Sequence, residues 1–183
     1  HIGLHKTGTK FLQHKVFPNL LESKFLYNPP RITQLICDLI KAFNEDVKMV
    51  QSEIRKEKEL LKRKYKGKTI VISREIMSGD LFNFYKDKET TVSKLSAVFS
   101  GATVIYSLRY QVDWIISCYR ESIHEHHYQS INNFLRLKKG SPNYINNSYK
   151  DLDFHKYGRL LRESFGQENV HLLYYEDFKK EKK

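Results

Sequence analysis

Cysteine is scarce in this chain, and no hydrophobic run approaches the length of a membrane-spanning helix. The two cysteines, Cys37 and Cys118, lie in apolar helical contexts, and their separation is not that of a metal site. We therefore expect both thiols to be reduced and buried. Because a bilayer span needs about 20 apolar residues, the sequence predicts no transmembrane helix, and it shows no signal peptide.

Internal repeats and low-complexity linkers are also missing, so a single domain over residues 1–183 is the simplest organisation. The hydrophobic fraction of 40%, with 13% aromatic residues, is typical of a folded chain and excludes a disordered one. The sequence opens inside an apolar run without a methionine and stops in the lysine-rich segment 179–183. We therefore expect truncation at both ends of a longer protein.

Acidic residues are outnumbered by basic ones, and the formal net charge of +11 favours anionic partners. Nucleic acid, an anionic glycan and a multiply phosphorylated nucleotide all satisfy that condition. The positive residues do not form a terminal arm, since many of them lie between residues 55 and 68 in a stretch with helical apolar spacing. We interpret that stretch as the solvated face of an amphipathic helix.

Short runs rich in β-branched residues alternate along the chain with segments of helical periodicity. This alternation predicts an α/β fold of three layers, in which helices flank a central parallel sheet with a topology like that of P-loop NTPases. Ligands of such sheets bind at the carboxyl ends of the strands. We expect the apolar run 69–73 to be a strand that is covered on both faces. We also expect Asn44 to cap the helix predicted at 45–65. Strands are predicted at 1–4, 25–27, 69–73, 102–108 and 170–175, and helices at 32–43, 45–65, 91–99, 112–123 and 153–165.

The first residues of the chain combine a strand, a glycine-containing loop and the start of a helix. The N–H groups of a first helical turn point at one spot, and the helix dipole adds about half a positive charge there, so this arrangement can hold a phosphate. Gly8 lets the backbone approach a ligand closely, and Lys6 adds a mobile cation. The spacing of Gly3 and Gly8 is that of a P-loop. Thr9, however, stands where a P-loop has its lysine, and Lys10 stands where it has its Mg²⁺-binding hydroxyl.

The order of residues in this loop, K-x-G-T from Lys6 to Thr9, resembles the 5′-phosphosulfate loop of the sulfotransferases that use 3′-phosphoadenosine-5′-phosphosulfate (PAPS). A second stretch, 108–119, resembles the same family's 3′-phosphate site, where a strand ends in arginine and the next helix carries a serine. A third stretch, 165–178, resembles the family's late G-x-x-N-V strand and its Y-E-D ending. We expect a carbohydrate or bacterial-type member of the family.

The resemblance implies PAPS as the sulfate donor, with adenosine 3′,5′-bisphosphate (PAP) as its product. The Arg109 guanidinium would fork onto the 3′-phosphate, and the Ser117 hydroxyl would donate one more hydrogen bond. Phe11 would stack on the adenine, although packing in the core is a competing interpretation of this aromatic residue. The implied donor-binding residues are Lys6, Thr7, Gly8, Thr9, Lys10, Phe11, Arg109 and Ser117.

The chain departs from the family pattern within both of the phosphate-binding stretches. His5 stands where many relatives have proline, which loosens the turn. Lys10 replaces a threonine or serine, so one hydroxyl contact to the 5′-phosphate is lost and a second cation is gained. Tyr110 and Gln111 replace the N-P or E-P pair that frequently follows the arginine.

The resemblance further implies transfer of a sulfuryl group from PAPS to an acceptor hydroxyl or amine. Lys6 and the loop amides would neutralise the charge that grows on the leaving 5′-phosphate. No metal is required, because a sulfuryl group carries one negative charge where a phosphoryl group carries two. Glu75, just past a central strand, is our candidate general base. A salt bridge with Arg74 is an equally good interpretation of Glu75, and binding of the acceptor by both residues is also open.

The resemblance leaves the acceptor and the compartment open. A glycan is the favoured acceptor, with a small molecule or a protein as alternatives, and we expect neither a nucleic-acid partner nor a membrane span. A cytoplasmic location is favoured. The Golgi lumen stays open because relatives in that compartment carry an upstream anchor.

Two functions of other classes remain as alternatives. A P-loop-like nucleotide phosphotransferase or NTPase would use Glu176 and Asp177 as Mg²⁺ ligands, but the displaced lysine argues against it. A basic nucleic-acid-binding domain rests on charge alone and predicts steeply salt-dependent affinity. His124 and His127 lie one helical turn apart without a third ligand at a familiar spacing, so we expect no metal site. We interpret them as a solvated helix end, with contact to the acceptor as the second interpretation.

Overall fold

The computed structural model describes residues 1–81, 85–125, 130–135 and 153–180. Within these residues, short parallel strands alternate with helices, which confirms the α/β class. The strands are β1 (Ile2–Gly3), β2 (Phe25–Tyr27), β3 (Thr69–Val71), β4 (Val104–Leu108) and β5 (Val170–Tyr174). The α-helices are α1 (Thr9–Phe11), α2 (Pro30–Lys41), α3 (Glu45–Lys64), α4 (Lys88–Phe99), α5 (Gln111–His124), α6 (Ile131–Phe134), α7 (Phe154–Phe165) and α8 (Tyr175–Lys180).

The strands form two parallel sheets, one with the order β1-β4-β5 and one that pairs β2 with β3. A polar network at residue 1 joins the sheets. The His1 main-chain nitrogen donates to the carbonyl oxygen of Ile72 (2.6 Å), just past β3. The two ring nitrogens of His1 lie 2.7 Å from the hydroxyls of Ser73 and Ser107. These contacts connect the end of β3 in the two-stranded sheet to the start of β1 in the three-stranded sheet.

The register of the three-stranded sheet brings the ends of its strands together. Gly3 in β1 is paired with Ser107 in β4, and Leu108 at the end of β4 is paired with Tyr174 at the end of β5. Because all three strands are parallel, the segments that follow them leave the sheet at one edge. The two stretches predicted to bind phosphate, the loop after β1 and residues 108–119, both follow strands that end at this edge.

Helices α2 and α3 show how apolar spacing determines burial. Helix α2 begins with Pro30, whose fixed φ angle suits the first position of a helix. Its i, i+3, i+4 and i+7 positions are all buried. Helix α3 buries only Ile54 and Leu61, and the basic residues of its last turn interact favourably with the helix dipole. This pattern confirms a largely solvated outer helix. The buried positions of α2 are Ile32, Leu35, Ile36 and Leu39.

Two predictions about local structure are confirmed only in part or not at all. Asn44 is the N-cap residue of α3, as predicted, but its side chain makes no capping hydrogen bond, and the Asp46 N–H bonds to the Phe43 carbonyl oxygen (3.2 Å). Strand β3 is not covered on both faces, since Thr69 is exposed and its other residues are half-buried. An apolar cavity of about 190 Å³ borders Ile70.

Three further details differ from expectation: the path after α1, the end of the last strand and the burial of the two thiols. After α1 the helical path widens into a π-helix (Leu12–Val16) and then tightens into a 3₁₀ turn (Phe17–Asn19). The last strand stops at Tyr174, and Tyr175 begins α8. Both thiols are free, but only Cys118 is buried, while Cys37 is half-buried at the wall of a cleft. Among the described helices, none has the length and apolar character needed to cross a bilayer.

Candidate active site

The loop after β1 turns sharply because two of its residues adopt left-handed backbone angles, Lys6 at φ 63° and Gly8 at φ 86°. Glycine adopts this conformation freely, whereas a lysine is rarely found in it. Thr7 holds the turn from inside, since its N–H and its hydroxyl both donate to the Leu4 carbonyl oxygen, at 3.3 and 2.6 Å. The Leu12 N–H then bonds to the Gly8 carbonyl oxygen (3.1 Å) and starts the helical path.

The Glu121 carboxylate on α5 forms ion pairs with both lysines of the loop, Lys6 and Lys10. Lys6 Nζ lies 2.8 Å from one carboxylate oxygen, and Lys10 Nζ lies 3.8 Å from the other. The hydrogen bond from Lys6 lowers the pKa of Glu121 below its ordinary value. The two ammonium groups therefore converge on one anion, which here is a side chain of the protein itself.

Arg109 lies at the same edge of the sheet as the Lys6 loop, as the parallel register predicted. Its Nη1 atom donates to the Lys6 carbonyl oxygen (3.2 Å), and its guanidinium carbon lies 4.6 Å from the centre of the Tyr175 ring. Its Nε atom is buried and has no hydrogen-bond partner among the described residues. One side of the guanidinium is thus fixed by the loop and the aromatic ring, while the Nε–H is left for an acceptor.

The end of the chain contributes to this edge through the Y-E-D sequence. Tyr175 supplies the ring against which Arg109 stacks. The next residue, Glu176, accepts a hydrogen bond from the main-chain N–H of Tyr110 (2.8 Å), just before α5 begins. All three stretches that carry the family resemblance therefore meet at one edge.

Ser117 lies on the face of α5 that is turned toward the loop. It precedes Glu121 by four residues, and residues at i and i+4 lie on the same face of a helix. Ser117 is half-buried, and its hydroxyl makes no hydrogen bond with the residues that the structure describes. The serine is therefore placed within the same region as the two lysines.

Thr9 and Glu75 connect the loop to the segment that follows β3. The buried Thr9 hydroxyl donates to Oε1 of Glu75 at 2.5 Å. Glu75 begins a 3₁₀ helix (Glu75–Ser78) and is half-buried. The alternative interpretation of Glu75, a salt bridge with Arg74, is not found, since Arg74 is exposed and makes no ion pair within the described part of the chain.

A cleft of about 670 Å³ lies beside Glu75. Besides Glu75 it is lined by His5 from the loop and by Asp80 and Arg74 from the segment after β3. Its volume is that of a pocket for a small molecule or for part of a larger one. The cleft therefore brings a carboxylate, an imidazole and a guanidinium to a space that adjoins the loop.

His5 is held in place by two buried aromatic residues. Its main-chain N–H donates to the hydroxyl of Tyr85 (3.1 Å), and its ring Nδ1 lies 3.1 Å from the same oxygen. The indole N–H of Trp114 donates to the His5 carbonyl oxygen (2.7 Å). Burial lowers the pKa of His5, and Glu75 opposes this effect more than any other charge.

The remaining predicted residues are less closely involved. The Thr7 hydroxyl is fully buried and bonded to Leu4, so only the backbone of Thr7 can reach a ligand. Phe11 is half-buried, which agrees with either interpretation of it. His124 ends α5 and is exposed, whereas His127 lies outside the described residues. No three metal-binding side chains cluster within the described ranges.

Sequence reasoning missed the contacts that organise this site. Glu121 could have been found, since it lies one helical turn beyond Ser117 and faces the same way. Tyr85 and Tyr175 carry no such signal, because their roles depend on contacts between distant segments. No protein-family model, curated protein or solved structure matches this chain.

Proposed function

We propose that this chain is a sulfotransferase domain that moves a sulfuryl group from PAPS to an acceptor hydroxyl or amine. The observation that carries the proposal is the contact between Arg109 and the Lys6 carbonyl oxygen at 3.2 Å. It brings the Arg109 guanidinium against the backbone of the Lys6 loop at one rim, where we expect a single doubly phosphorylated adenosine to reach both stretches.

The polar groups at this rim fit such a nucleotide. The buried Arg109 Nε–H lacks a partner within the described residues, so a 3′-phosphate oxygen would satisfy it, with the Ser117 hydroxyl as a second donor. Lys6 and Lys10 already surround one carboxylate, that of Glu121, so the loop is able to hold an anion. Lys6, Lys10 and the first amides of α1 would hold the 5′ end.

Lys6 and Glu75 have separate roles in the proposed transfer. The bound donor supplies an activated sulfuryl group. Lys6 stabilises the negative charge that develops on the 5′ side, a contribution of about 3 kcal/mol for one well-placed donor. Glu75 accepts the proton of the acceptor, and Thr9 links Glu75 to the loop through its hydroxyl hydrogen bond.

The finer description of the fold belongs to the same proposal. Taken together as the row β2-β3-β1-β4-β5, the two sheets and the cationic loop after β1 support a three-layer topology of the P-loop type. Cleft and loop adjoin at the carboxyl ends of the strands, where ligands of parallel sheets bind.

Titration calorimetry with PAP tests the proposal directly. We expect PAP to bind more tightly than AMP, which lacks the 3′-phosphate, and more tightly than ATP with Mg²⁺. Equal affinity for PAP and AMP, or a clear preference for ATP with Mg²⁺, would reject the assignment.

The phosphotransferase alternative gains nothing from the geometry. Of its two proposed ligands, Glu176 and Asp177, Glu176 accepts the Tyr110 N–H through Oε1. A nucleic-acid-binding function has only the net charge of +11 in its favour.

A further inference from the structure

The hydrogen bonds of His5 determine which of its ring nitrogens carries the proton. The Tyr85 oxygen accepts the main-chain N–H of His5, and the single hydroxyl proton of Tyr85 then has the His5 Nδ1 atom as its acceptor. No other acceptor for the Tyr85 hydroxyl is found among the described residues. Nδ1 is therefore unprotonated, and in a neutral imidazole the proton lies on Nε2.

The Nε2 atom of His5 is the free end of this ring. It makes no hydrogen bond with the described residues, and it is not among the buried atoms that lack a partner, so it reaches solvent. His5 and Glu75 both line the cleft of about 670 Å³. Burial lowers the pKa of His5, so the ring is neutral near pH 7 and Nε2 is a donor.

We infer that the His5 Nε2–H and the Glu75 carboxylate form a donor–acceptor pair in the cleft that recognises an attacking hydroxyl and discriminates against an amine. The inference rests on the proposed function and narrows its substrate class to O-sulfation. His5 is a positioning residue in this account, because Tyr85 fixes it as a donor and it takes no proton itself.

Lone pairs explain the selectivity. A hydroxyl oxygen has two lone pairs, so it can accept the His5 Nε2–H with one and attack sulfur with the other, while its proton passes to Glu75. The new O–S bond replaces the bond from sulfur to the 5′-phosphate oxygen, which keeps the electron pair. A neutral amine has one lone pair, and an amine that accepts from His5 has none left for attack.

The tautomer can be measured without any nucleotide. Long-range ¹H–¹⁵N correlation spectra of the histidine-labelled protein at pH 7 should show His5 with Nε2 protonated and Nδ1 unprotonated. The Tyr85→Phe variant should lose this single tautomer. A wild-type spectrum with Nδ1 protonated would overturn the inference.

Selectivity is measured with PAPS and glucosamine oligomers, which offer an amine and several hydroxyls on one molecule. We expect mass spectrometry to find O-sulfate as the product of the wild type. The His5→Leu variant should transfer about 3- to 10-fold more slowly, the loss of one oriented hydrogen bond. The His5→Gln variant retains an N–H at the end of its side chain and should restore most of the rate, and PAP affinity should stay within about 2-fold in both variants.

The outcomes separate this inference from the proposed function. Failure of the wild type to bind PAP would reject the proposed function, and the tautomer measurement would then test only which ring nitrogen of His5 carries the proton. N-sulfate as the wild-type product, PAP binding without transfer to any hydroxyl, or an unchanged rate in His5→Leu would each overturn hydroxyl selection.

Discussion

The ammonium group of Lys6 lies 2.8 Å from the carboxylate of Glu121, and this ion pair lies where the proposed nucleotide would place its 5′-phosphate. About a quarter of each side chain is exposed, so the pair is partly shielded from water. A carboxylate and a phosphate have the same charge sign and compete for the same ammonium group. Under the proposed function, Glu121 is therefore an internal anion that the 5′-phosphate would displace from Lys6.

Replacing Glu121 with Gln should tighten PAP binding. The substitution removes the negative charge that competes for Lys6 and keeps the size of the side chain. A partly exposed ion pair contributes about 0.2–1 kcal/mol, so we expect an affinity gain of up to about 5-fold in titration calorimetry.

Glu125→Gln is the matched control, because Glu125 lies one turn further along and is exposed. It should leave PAP affinity unchanged. Weaker binding in Glu121→Gln would show that Glu121 orients Lys6 for the ligand and does not compete with it.

The same ion pair should make the stability of the fold depend on pH in the acidic range. The pKa of Glu121 is lowered in the folded state, chiefly by the hydrogen bond from Lys6. The stabilisation is therefore complete above the ordinary glutamate pKa of about 4.3 and is lost as the pH falls through the lower folded-state value. The difference in Tm between wild type and Glu121→Gln should be constant from about pH 7 to 5 and should shrink below that range. A difference that grows on acidification would contradict this sign.

Replacing Arg109 with Ala should weaken PAP binding by about 2–3 kcal/mol, the scale for a hydrogen bond between charged groups. The loss should be much smaller for AMP, because Arg109 is assigned to the 3′-phosphate that AMP lacks. Calorimetry of the wild type and the Arg109→Ala variant with PAP and with AMP gives the loss of binding free energy that is specific to the 3′-phosphate. Arg120→Ala, an exposed position on the same helix, should bind both ligands as the wild type does. Equal losses for PAP and AMP would remove Arg109 from the 3′-phosphate site.

The sequence predicts those parts of the fold that depend on local pattern. The buried positions of α2 follow from its apolar spacing, and the meeting of Arg109 with the Lys6 loop follows from two parallel strands that end at one edge. The backbone of Asn44 was not predictable in this way, because the Phe43 carbonyl takes the capping role that residue preference assigns to a side chain.

The site shows the same division between local and long-range contacts. The lysines and the arginine follow strand ends and can be recognised from the chain alone. The hydroxyl that orients His5 comes from a residue 80 positions away, and no pattern near residue 85 indicates this contact. Long-range hydrogen bonds of this kind determine the protonation state and tautomer of a histidine, so those properties of His5 do not follow from the sequence alone.

Removing the hydroxyl of Tyr85 should destabilise the fold. Tyr85 is almost fully buried, and its oxygen satisfies both the main-chain N–H and the ring of His5. Tyr85→Phe leaves the main-chain N–H without its acceptor, at a cost of about 1–3 kcal/mol in the free energy of unfolding, measured by urea denaturation. Tyr174→Phe, at a half-exposed position in β5, should change it by less than about 0.5 kcal/mol. Equal effects in the two variants would mean that the Tyr85 hydroxyl is not a structural acceptor.

His5 should produce a second pH dependence, in the neutral range. Burial lowers its pKa in the folded state, while the charges of Glu75, Asp80 and Glu121 raise it and Lys6 adds to the lowering. The unfolded chain therefore binds a proton near the ordinary histidine pKa of about 6.5, where the folded protein does not yet do so. Stability should accordingly be complete above about pH 6.5 and should decline as the pH falls toward the lower folded-state value.

Thermal unfolding of the wild type and of His5→Gln between pH 8 and 5 measures this dependence. The glutamine variant cannot take up the proton, so it should lose less stability than the wild type as the pH falls. His155→Gln removes an exposed histidine from α7 and should follow the wild-type curve. If His5→Gln and the wild type decline in parallel, His5 titrates as it does in the unfolded chain, and the neutral Nε2–H donor that the cleft requires would not persist near pH 6.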